Sequence, residues 1–553
     1  MLTSLIQRPR RWVRHGSGTH TRDKIVRDRA CVRACARTRA LSRVALWPRW
    51  MKNSSSRRNS QSVSPAFIQR WSATLTSFTR ASYGAMPRGS SAAKILFVSN
   101  NDGTSFSEVN AIVSVVIVAL WVRLSMLPFV DRYTQVSQTK RYSTCIERTL
   151  DVATLILPSI GSMLTTERAI LVSAWALVAG CLMLWMTQSA RAHAAPVAKT
   201  HKRTKVDASV AQAFRCDDAI AMYRYTLAIL TAVAILAIDF TIFPRRLGKT
   251  ETFGVSLMDL GGGAFVFSSG VVSRFARGRT YRSFSASMVK VAPLFALGVA
   301  RLLITTAVGY HSVETEYGRH WNFFFTLACV NVFASIFTIP PKKALSLGLC
   351  ISLVYQCVLS RLASAWVLQA PEVRRHPEHM LLRFASMNRE GLCSVVGYYA
   401  IYLIAVQIGW FLAQPILNFG RWARTVLIAL SAVWCAALGL HRFVEPVSRR
   451  SGNAAYVMWI SAYNMQVILA YVIMSHILWL VRQQPSAAPM LVQAVSTNQL
   501  AVFLCGNLLT GLVNLSIDTM QVSDVGAWIV MGAYTSTICA CALLCHKTNV
   551  KRA

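Results

Sequence analysis

The sequence predicts an all-α, polytopic membrane protein whose transmembrane helices form one bundle. Of its 553 residues, 54% are hydrophobic and only 15% are charged, whereas a soluble globular protein has about 25% charged residues. The mean hydropathy is +0.40, and the apolar residues are concentrated in long runs. This composition argues against a water-soluble enzyme, and also against a disordered chain, which needs low hydrophobicity.

About thirteen apolar runs come close to the roughly 20 residues that a helix needs to cross about 30 Å of hydrocarbon. The run over 150–166 contains Pro158, and the run over 254–273 contains Asp259 and a glycine triplet. Either run could be a broken or re-entrant segment that lines a cavity. No internal repeat is visible, so an inverted-repeat transporter gains no support. The predicted spans are 109–130, 150–166, 169–187, 223–243, 254–273, 284–308, 321–339, 344–365, 394–417, 424–441, 454–481, 499–517 and 523–545.

The net charge of +37 is unevenly distributed along the chain. Residues 1–91 hold 19 Lys and Arg against two acids, which is about +17 of the total. This Arg- and Ser-rich segment is typical of a transit peptide or a disordered basic arm; a third reading is that the biological start is Met86. We expect the membrane domain to be 92–553, with a long basic cytosolic loop at 188–222.

The remaining basic residues orient the bundle rather than indicating a nucleic-acid partner. Loops after the odd-numbered spans, and the C-terminal tail, carry a clear excess of Lys and Arg, whereas loops after the even-numbered spans are nearly balanced. The positive-inside rule makes the first set cytosolic. The N-terminus is then lumenal and the C-terminus cytosolic. A basic arm before a lumenal first helix opposes the rule, which favours a mature protein without that arm.

No metal or permanently bound cofactor is expected from the sequence. The 14 cysteines show neither the spacing of a metal site nor a disulfide framework, and most of them lie inside apolar runs. No HExxH or GxSxG motif is present, which argues against a metalloprotease and a serine hydrolase.

The predicted lumenal loops mix both charge signs with His, Trp, Asn and Gly, and could converge into one polar site. Asp239 ends an apolar run, where a carboxylate usually has a partner or a task. It suits a general base, with Lys249 as its possible partner. The alternative is an interfacial carboxylate that reaches water and pairs with Arg245 or Arg246.

Other polar residues in these loops have a functional and a structural interpretation. The arginine pairs 245–246 and 449–450 suit phosphate groups, or they anchor the protein to lipid headgroups. The glycines at 261–263 permit tight helix packing, but Asp259 beside them suggests a lined cavity. His320 is a possible acid or base, or a structural histidine.

These loops resemble those of a known family. Residues 236–273, LAIDFTIFPRRLGKTETFGVSLMDLGGGAFVFSSGVVS, are similar to the signature of the inositol acyltransferases of GPI-anchor synthesis, the Gwt1/PIG-W family. The sequence departs from that signature at Leu247-Gly248, where the family has Phe-Ala, and at the glycine triplet. The resemblance covers about residues 95–545. The other similar blocks, in order, are 97–105, 316–326, 388–391, 448–464 and 507–514.

The resemblance implies an enzyme of the endoplasmic reticulum (ER) membrane that transfers a fatty acyl group, typically palmitoyl. The donor would be acyl-CoA, used as a co-substrate, and the acceptor the inositol 2-hydroxyl of glucosaminyl-phosphatidylinositol. Asp239 would deprotonate the hydroxyl, and Lys249 would orient Asp239 or stabilise charge at the thioester oxygen. The residues expected to shape the two substrate sites are Arg245, Arg246, Asp259, His320, Asn322, Asn388, Arg389, Arg449, Arg450, Asn453, Asn464, Thr510 and Asn514.

Two other functions compete with this interpretation. A lipid transporter or scramblase could use Asp239 and Asp259 as ion or proton sites. A histidine-based membrane-bound O-acyltransferase could use His320, although the expected Asn/His pair in successive helices is lacking. The acyltransferase interpretation must also bring cytosolic acyl-CoA to loops predicted to be lumenal. A funnel through the bundle, with the thioester held near mid-membrane, would do so.

Overall fold

The computed structural model shows a helical bundle. Within the described residues no β-strand forms, and three isolated β-bridges link loops. The basic arm at 1–91 and the predicted span at 169–187, apart from Gly180, lie outside the described part of the chain, as does most of the loop 188–222. The described residues are 101–126, 140–164, 180, 214–279, 283–308, 314–369, 377–482 and 488–550.

The α-helices of these residues are numbered here in chain order. Two π-helical turns, Val152–Ile156 and Leu359–Ala363, connect α2 to α3 and α9 to α10. The helices are α1 (Phe106–Ser125), α2 (Lys140–Asp151), α3 (Leu157–Leu164), α4 (Asp217–Ala237), α5 (Leu257–Val271), α6 (Phe284–Val308), α7 (Glu314–Tyr317), α8 (Phe323–Ile336), α9 (Pro341–Val358), α10 (Ser364–Leu368), α11 (Met380–Met387), α12 (Arg389–Leu412), α13 (Phe419–Phe443), α14 (Ala454–Arg482), α15 (Met490–Thr497), α16 (Gln499–Ser516) and α17 (Asp524–Val550).

Nine helices in the described part of the chain are long and apolar enough to cross a membrane, which is the architecture of a polytopic membrane protein. The expected count of thirteen is not confirmed. Three of the other predicted spans appear as shorter or broken helices, and the fourth lies outside the described residues. The nine candidate spans are Phe106–Ser125, Asp217–Ala237, Phe284–Ala307, Pro341–Leu368, Arg389–Leu412, Phe419–Phe443, Ala454–Leu480, Gln499–Ser516 and Asp524–Thr548.

Each short or broken segment has a local cause. The π-helical turn directly precedes Leu157-Pro158, because proline has no N–H to continue the α-helical ladder. α5 has 15 residues because Ser256 caps it, its hydroxyl accepting from the Asp259 N–H at 3.1 Å. α8 has 14 residues and begins deep in the bundle, since Asn322 caps it and also donates to the Gly298 carbonyl in the middle of α6.

α4 is displaced toward the N-terminus from its predicted position. It begins at Asp217, where two acids in the first turn favour the positive end of the helix dipole. It ends at Ala237. Asp239 therefore lies in the turn beyond the helix, where its N–H donates to the Leu236 carbonyl at 3.1 Å.

The helices α5, α12 and α14 form the centre of the bundle, whereas α6 and α13 lie at its periphery. α5 packs against its neighbours almost backbone to backbone. A Cβ atom on Gly270 would lie 2.7 Å from that of Ala405 on α12, and one on Gly263 would lie 2.7 Å from the Ile460 side chain on α14. Gly263 of the glycine triplet, together with Gly270, thus serves close helix packing.

Candidate active site

The polar loops that follow α4, α7 and α11 and precede α14 meet at one end of the bundle, as the sequence predicts. The Ser448 hydroxyl donates to the Thr252 carbonyl at 2.6 Å, which joins the loop before α14 to the loop after α4. The His320 N–H donates to the Asn388 side chain at 2.7 Å, which joins the loop after α7 to the start of α12.

The segment before α1 is part of the same assembly. The Asn101 amide donates to the Gly248 and Lys249 carbonyls at 2.8 and 3.2 Å. Gly103 adopts a φ of +85° against Val255, a conformation that a residue with a Cβ atom rarely adopts. These contacts fix the backbone of the loop that carries Lys249.

A buried ion pair joins Asp259 to Arg449. The guanidinium Nε lies 2.7 Å from Asp259 Oδ1, and the two side chains are 5% and 0% exposed. Asp259 Oδ2 accepts from the Thr250 N–H, the Thr250 hydroxyl and the Ser256 hydroxyl. Burial alone would lower the pKa of Arg449, but Asp259, Tyr317, Glu316 and Tyr398 together outweigh burial and raise it. Both oxygens of Asp259 therefore accept hydrogen bonds within the protein, and the residue joins two loops.

Lys249 is held by a carboxylate from α7. Its ammonium donates to both Glu316 oxygens at 2.8 Å, and the two side chains are 36% and 27% exposed. Burial would raise the pKa of Glu316, but the charges of Lys249, Arg449 and Arg301 and the hydrogen bond from Lys249 together outweigh burial and hold that pKa below its ordinary value. The next residue, Tyr317, lies with its ring 5.9 Å from the Arg449 guanidinium.

Asp239 contacts a different helix. The Asn514 amide donates to Asp239 Oδ2 at 2.8 Å, which links the turn after α4 to the end of α16. Thr510, one turn earlier, donates to the Tyr534 hydroxyl at 3.2 Å, and Tyr534 donates to the Ala232 carbonyl. The structure therefore brings Asp239, Thr510 and Asn514 to one region, while the carboxylate that contacts Lys249 is Glu316.

The two predicted arginine pairs differ in exposure. Arg245 and Arg246 are exposed, and Arg246 pairs with Glu108 at 2.9 Å. Arg449 and Arg450 are buried. The Arg450 guanidinium lies 2.9 Å from Glu390, so the second pair stabilises loops.

Arg389 is also buried. Its guanidinium donates to the Gln369 carbonyl at 3.1 Å and lies 5.3 Å from the Trp366 ring centroid. It thereby ties the start of α12 to the end of α10. The His320 ring stacks on Phe384, with centroids 6.4 Å apart.

The four predicted asparagines before α16 use both ends of their amides inside the protein. In each of them the oxygen accepts at least one hydrogen bond, and the NH2 group donates to a main-chain carbonyl. They cap helices or join neighbouring segments, and all are buried. These residues are Asn322, Asn388, Asn453 and Asn464.

Sequence reasoning missed Glu316 and Asn101 as site residues. Both stand in or beside blocks that carry the family resemblance, which was the available signal. Glu316 is 67 residues from Lys249, and no spacing rule connects them. Within the described residues, no group of three or more His, Cys, Asp or Glu side chains is placed to hold a metal ion.

A cavity of about 440 Å³ lies inside the bundle. Phe265, Phe323 and Phe503 line its apolar part, and Arg224 and Arg274 also line it. Arg224 donates to the Ser496 carbonyl at 2.8 Å and to the Ser268 hydroxyl at 3.3 Å.

One end of the cavity is opposite the polar loops. Arg224 lies early in α4, whose far end leads to Asp239, and Arg274 follows the end of α5. The other end reaches Phe323, the first residue of α8, whose ring centroid is 6.5 Å from that of Tyr317. The cavity thus extends from basic residues at one end of the bundle to Phe323, whose ring lies beside that of Tyr317.

The chain is similar to known proteins over most of its length. The GWT1 family model matches residues 90–545. The chain is 33% identical over 510 residues to GPI-anchored wall transfer protein 1 of Aspergillus fumigatus, covering 83% of this chain and 98% of that protein. It is 31% identical over 365 residues to glucosaminyl-phosphatidylinositol-acyltransferase PIGW of Mus musculus, covering 58% and 72%.

A third relative is the phosphatidylinositol-glycan biosynthesis class W protein of Dictyostelium discoideum, which is 30% identical over 379 residues and covers 59% of this chain and 73% of that protein. The matched residues contain every loop that meets at the polar end of the bundle. The chain belongs to the GWT1 family.

Proposed function

We propose that this protein is an acyltransferase of GPI-anchor biosynthesis that acylates the inositol 2-hydroxyl of glucosaminyl-phosphatidylinositol. The printed name of the mouse relative describes an acyltransferase for this lipid. The proposal assigns the activity to residues 92–553 in the ER membrane, with a lumenal N-terminus and a cytosolic C-terminus. The acyl donor is acyl-CoA, with palmitoyl as the transferred group.

The observation that carries the proposal is the contrast between two kinds of ionisable residue. Asp259, Arg449 and Arg450 are buried and bound to protein partners. Asp239 and Lys249 lie ten residues apart in the same loop and are only partly buried. A partly buried carboxylate and ammonium at the end of the bundle are accessible to a lipid headgroup.

The chemistry assigned to these residues is one acyl transfer. Asp239 accepts the proton of the inositol hydroxyl, and the oxygen attacks the thioester carbonyl. Lys249 stabilises the negative charge that develops on the carbonyl oxygen. The carbon–sulfur bond then breaks, and the proton passes to the thiolate of CoA. Asn514 fixes the rotation of the Asp239 carboxylate through their 2.8 Å hydrogen bond.

The cavity supports acyl-CoA as the donor. Its volume of about 440 Å³ falls in the usual range of ligand pockets, about 300–1,000 Å³. The phenylalanines suit an acyl chain, and guanidinium groups such as Arg224 and Arg274 suit phosphate. Arg274 stands in a basic loop that the positive-inside rule assigns to the cytosol, where acyl-CoA is made.

The contacts of Asp259 weigh against the transporter alternative. Both of its oxygens are occupied by a guanidinium, two hydroxyls and an N–H group. A transported ion would have to compete with these contacts for the Asp259 oxygens. His320 likewise contacts no carboxylate that would orient it as a base among the described residues, which weighs against the histidine-based acyltransferase.

The test is an acylation assay in membranes that lack other inositol acyltransferases. Labelled acyl-CoA and glucosaminyl-phosphatidylinositol are supplied, and acylated lipid is measured. The unaltered protein should produce labelled lipid and Asp239→Asn should not. Asp524→Asn, the same change at an exposed acid at the start of α17, should retain activity. Absence of label transfer by the unaltered protein would refute the proposal.

A further inference from the structure

We infer that Glu316 is a positioning residue that fixes the Lys249 ammonium at the active site. This inference rests on the proposed function. It adds a carboxylate from α7 to a reaction otherwise assigned to the loop after α4. Both Glu316 oxygens lie 2.8 Å from the Lys249 nitrogen, so the contact constrains the direction of the ammonium as well as its distance.

The support of Glu316 is rigid. Gly318, two residues later, has a φ of +100°, and a Cβ atom there would lie 2.6 Å from the Met387 carbonyl oxygen. The Arg319 N–H donates to that same carbonyl at 3.0 Å. A Cβ atom on Gly391 would lie 2.6 Å from the Tyr317 carbonyl oxygen. α7 is therefore held tightly against the start of α12, and Glu316 has little freedom to follow a moving lysine.

Lys249 stands on a less regular support. It follows a single 3₁₀ turn, Arg245–Leu247, and its side chain has four rotatable bonds. A long side chain of this kind loses much conformational entropy when it is fixed. The contact with Glu316 orders the Lys249 side chain before substrate arrives, so that this entropy is already lost when substrate binds. An ammonium has three N–H donors, so two contacts to Glu316 leave a donor for a substrate oxygen.

The Lys249–Glu316 pair belongs to a series of neighbouring side chains whose charges alternate in sign. Asp259 binds Arg449, Arg449 acts electrostatically on Glu316, and Glu316 binds Lys249. Arg301 on α6 also acts on Glu316, and the Tyr317 hydroxyl is close by. Removing the Glu316 charge takes away the carboxylate that holds the Lys249 ammonium, and the ammonium can then turn away from the site.

The experiment compares Glu316→Gln, Glu316→Asp and the exposed control Glu378→Gln in the acylation assay, at matched amounts of protein in the membrane. Gln keeps the size of the side chain and removes its charge. Asp keeps the charge on a side chain that is one methylene shorter. We expect Glu316→Gln to lower kcat at least tenfold with less than threefold change in KM for either substrate. Glu316→Asp should recover part of that kcat, and Glu378→Gln should match the unaltered protein.

A Glu316→Gln variant with kcat within threefold of the unaltered protein would overturn the inference, as would equal losses in the Gln and Asp variants. If Glu316→Gln does not accumulate, Glu316→Asp decides alone: accumulation with a reduced kcat supports the inference, and an unchanged kcat overturns it. The proposed function fails separately, when the unaltered protein transfers no label.

Discussion

Arg449 and Asp259 are 190 positions apart in the chain, yet their side chains form a 2.7 Å ion pair that is almost completely shielded from solvent. The pair joins the loop before α14 to the first turn of α5. Because α5 lies at the centre of the bundle, this contact connects the candidate active site to the core.

Breaking this pair should strongly destabilise the protein. Arg449→Met leaves a buried carboxylate without its cation, which costs about 3–5 kcal/mol. We expect a large drop in melting temperature in detergent, measured by the fluorescence of a tagged protein. Arg246→Met, which breaks the exposed pair with Glu108, should cost under about 1 kcal/mol. Similar melting temperatures for the two variants would contradict this prediction.

The hydrogen bond from Asn514 to Asp239 should affect rate more than stability. Asn514→Ala frees the carboxylate to rotate, and misplacement of a reacting group by about 1 Å can cost about 10²-fold in rate. We expect acylation to fall about 10- to 100-fold while the protein accumulates normally. Asn507→Ala is the control on the same helix, since Asn507 bonds only to the Phe503 carbonyl of its own helix among the described contacts. Equal activity in the two variants would remove Asn514 from the site.

The Lys249–Glu316 pair should be insensitive to mild acid. The pKa of Glu316 lies below its ordinary value of 4.5, so the stability that the pair contributes is present above 4.5 and is lost as pH falls through the lowered pKa. The difference in melting temperature between the unaltered protein and Glu316→Gln, which has no titrating group at this position, should therefore stay constant from pH 7 to 5.5 and shrink only below 4.5. A difference that changes between pH 7 and 5.5 would show that the pKa of Glu316 is raised instead.

Arg224 should contribute to binding of the acyl donor. A hydrogen bond to a charged group is worth about 1.5–3 kcal/mol, or about 10- to 100-fold in affinity. Arg224→Gln should therefore raise KM for acyl-CoA by at least tenfold, with little change in KM for the lipid acceptor. Arg421→Gln, at an exposed arginine in the first turn of α13, is the control. An unchanged KM for acyl-CoA in Arg224→Gln would place the donor elsewhere.

The helices could be predicted where an apolar run is uninterrupted. The predicted span at 424–441 lies within α13, Phe419–Phe443, because lipid-facing residues must be apolar. Prediction failed where other forces set the ends of a helix. A serine cap shortens α5, and an asparagine bonded to the middle of α6 shortens α8. Hydropathy reports neither effect.

The residues of the site could be predicted as a set, but not by role. In the sequence alone, the arginine pairs 245–246 and 449–450 have the same interpretation, whereas in the structure the first pair is exposed and the second pair is buried. Asp259 looked like a carboxylate in a cavity, and its occupation by Arg449 depends on a contact across 190 residues. The partner of Lys249 could not be inferred either, since α7 is brought to it by helix packing.

The contacts of Asn101 have a consequence for how the protein is made. Asn101 precedes the first helix of the bundle, but its bond to Gly248 spans 147 residues, and the bond from Ser448 back to Thr252 spans 196. A ribosome must therefore synthesise most of the chain before the loops can close around Lys249. A nascent chain that stops before Ser448 contains both Asp239 and Lys249 yet lacks the hydrogen bond from Ser448 to the Thr252 carbonyl. Biogenesis thus keeps the reactive loop incomplete until most of the bundle has entered the membrane.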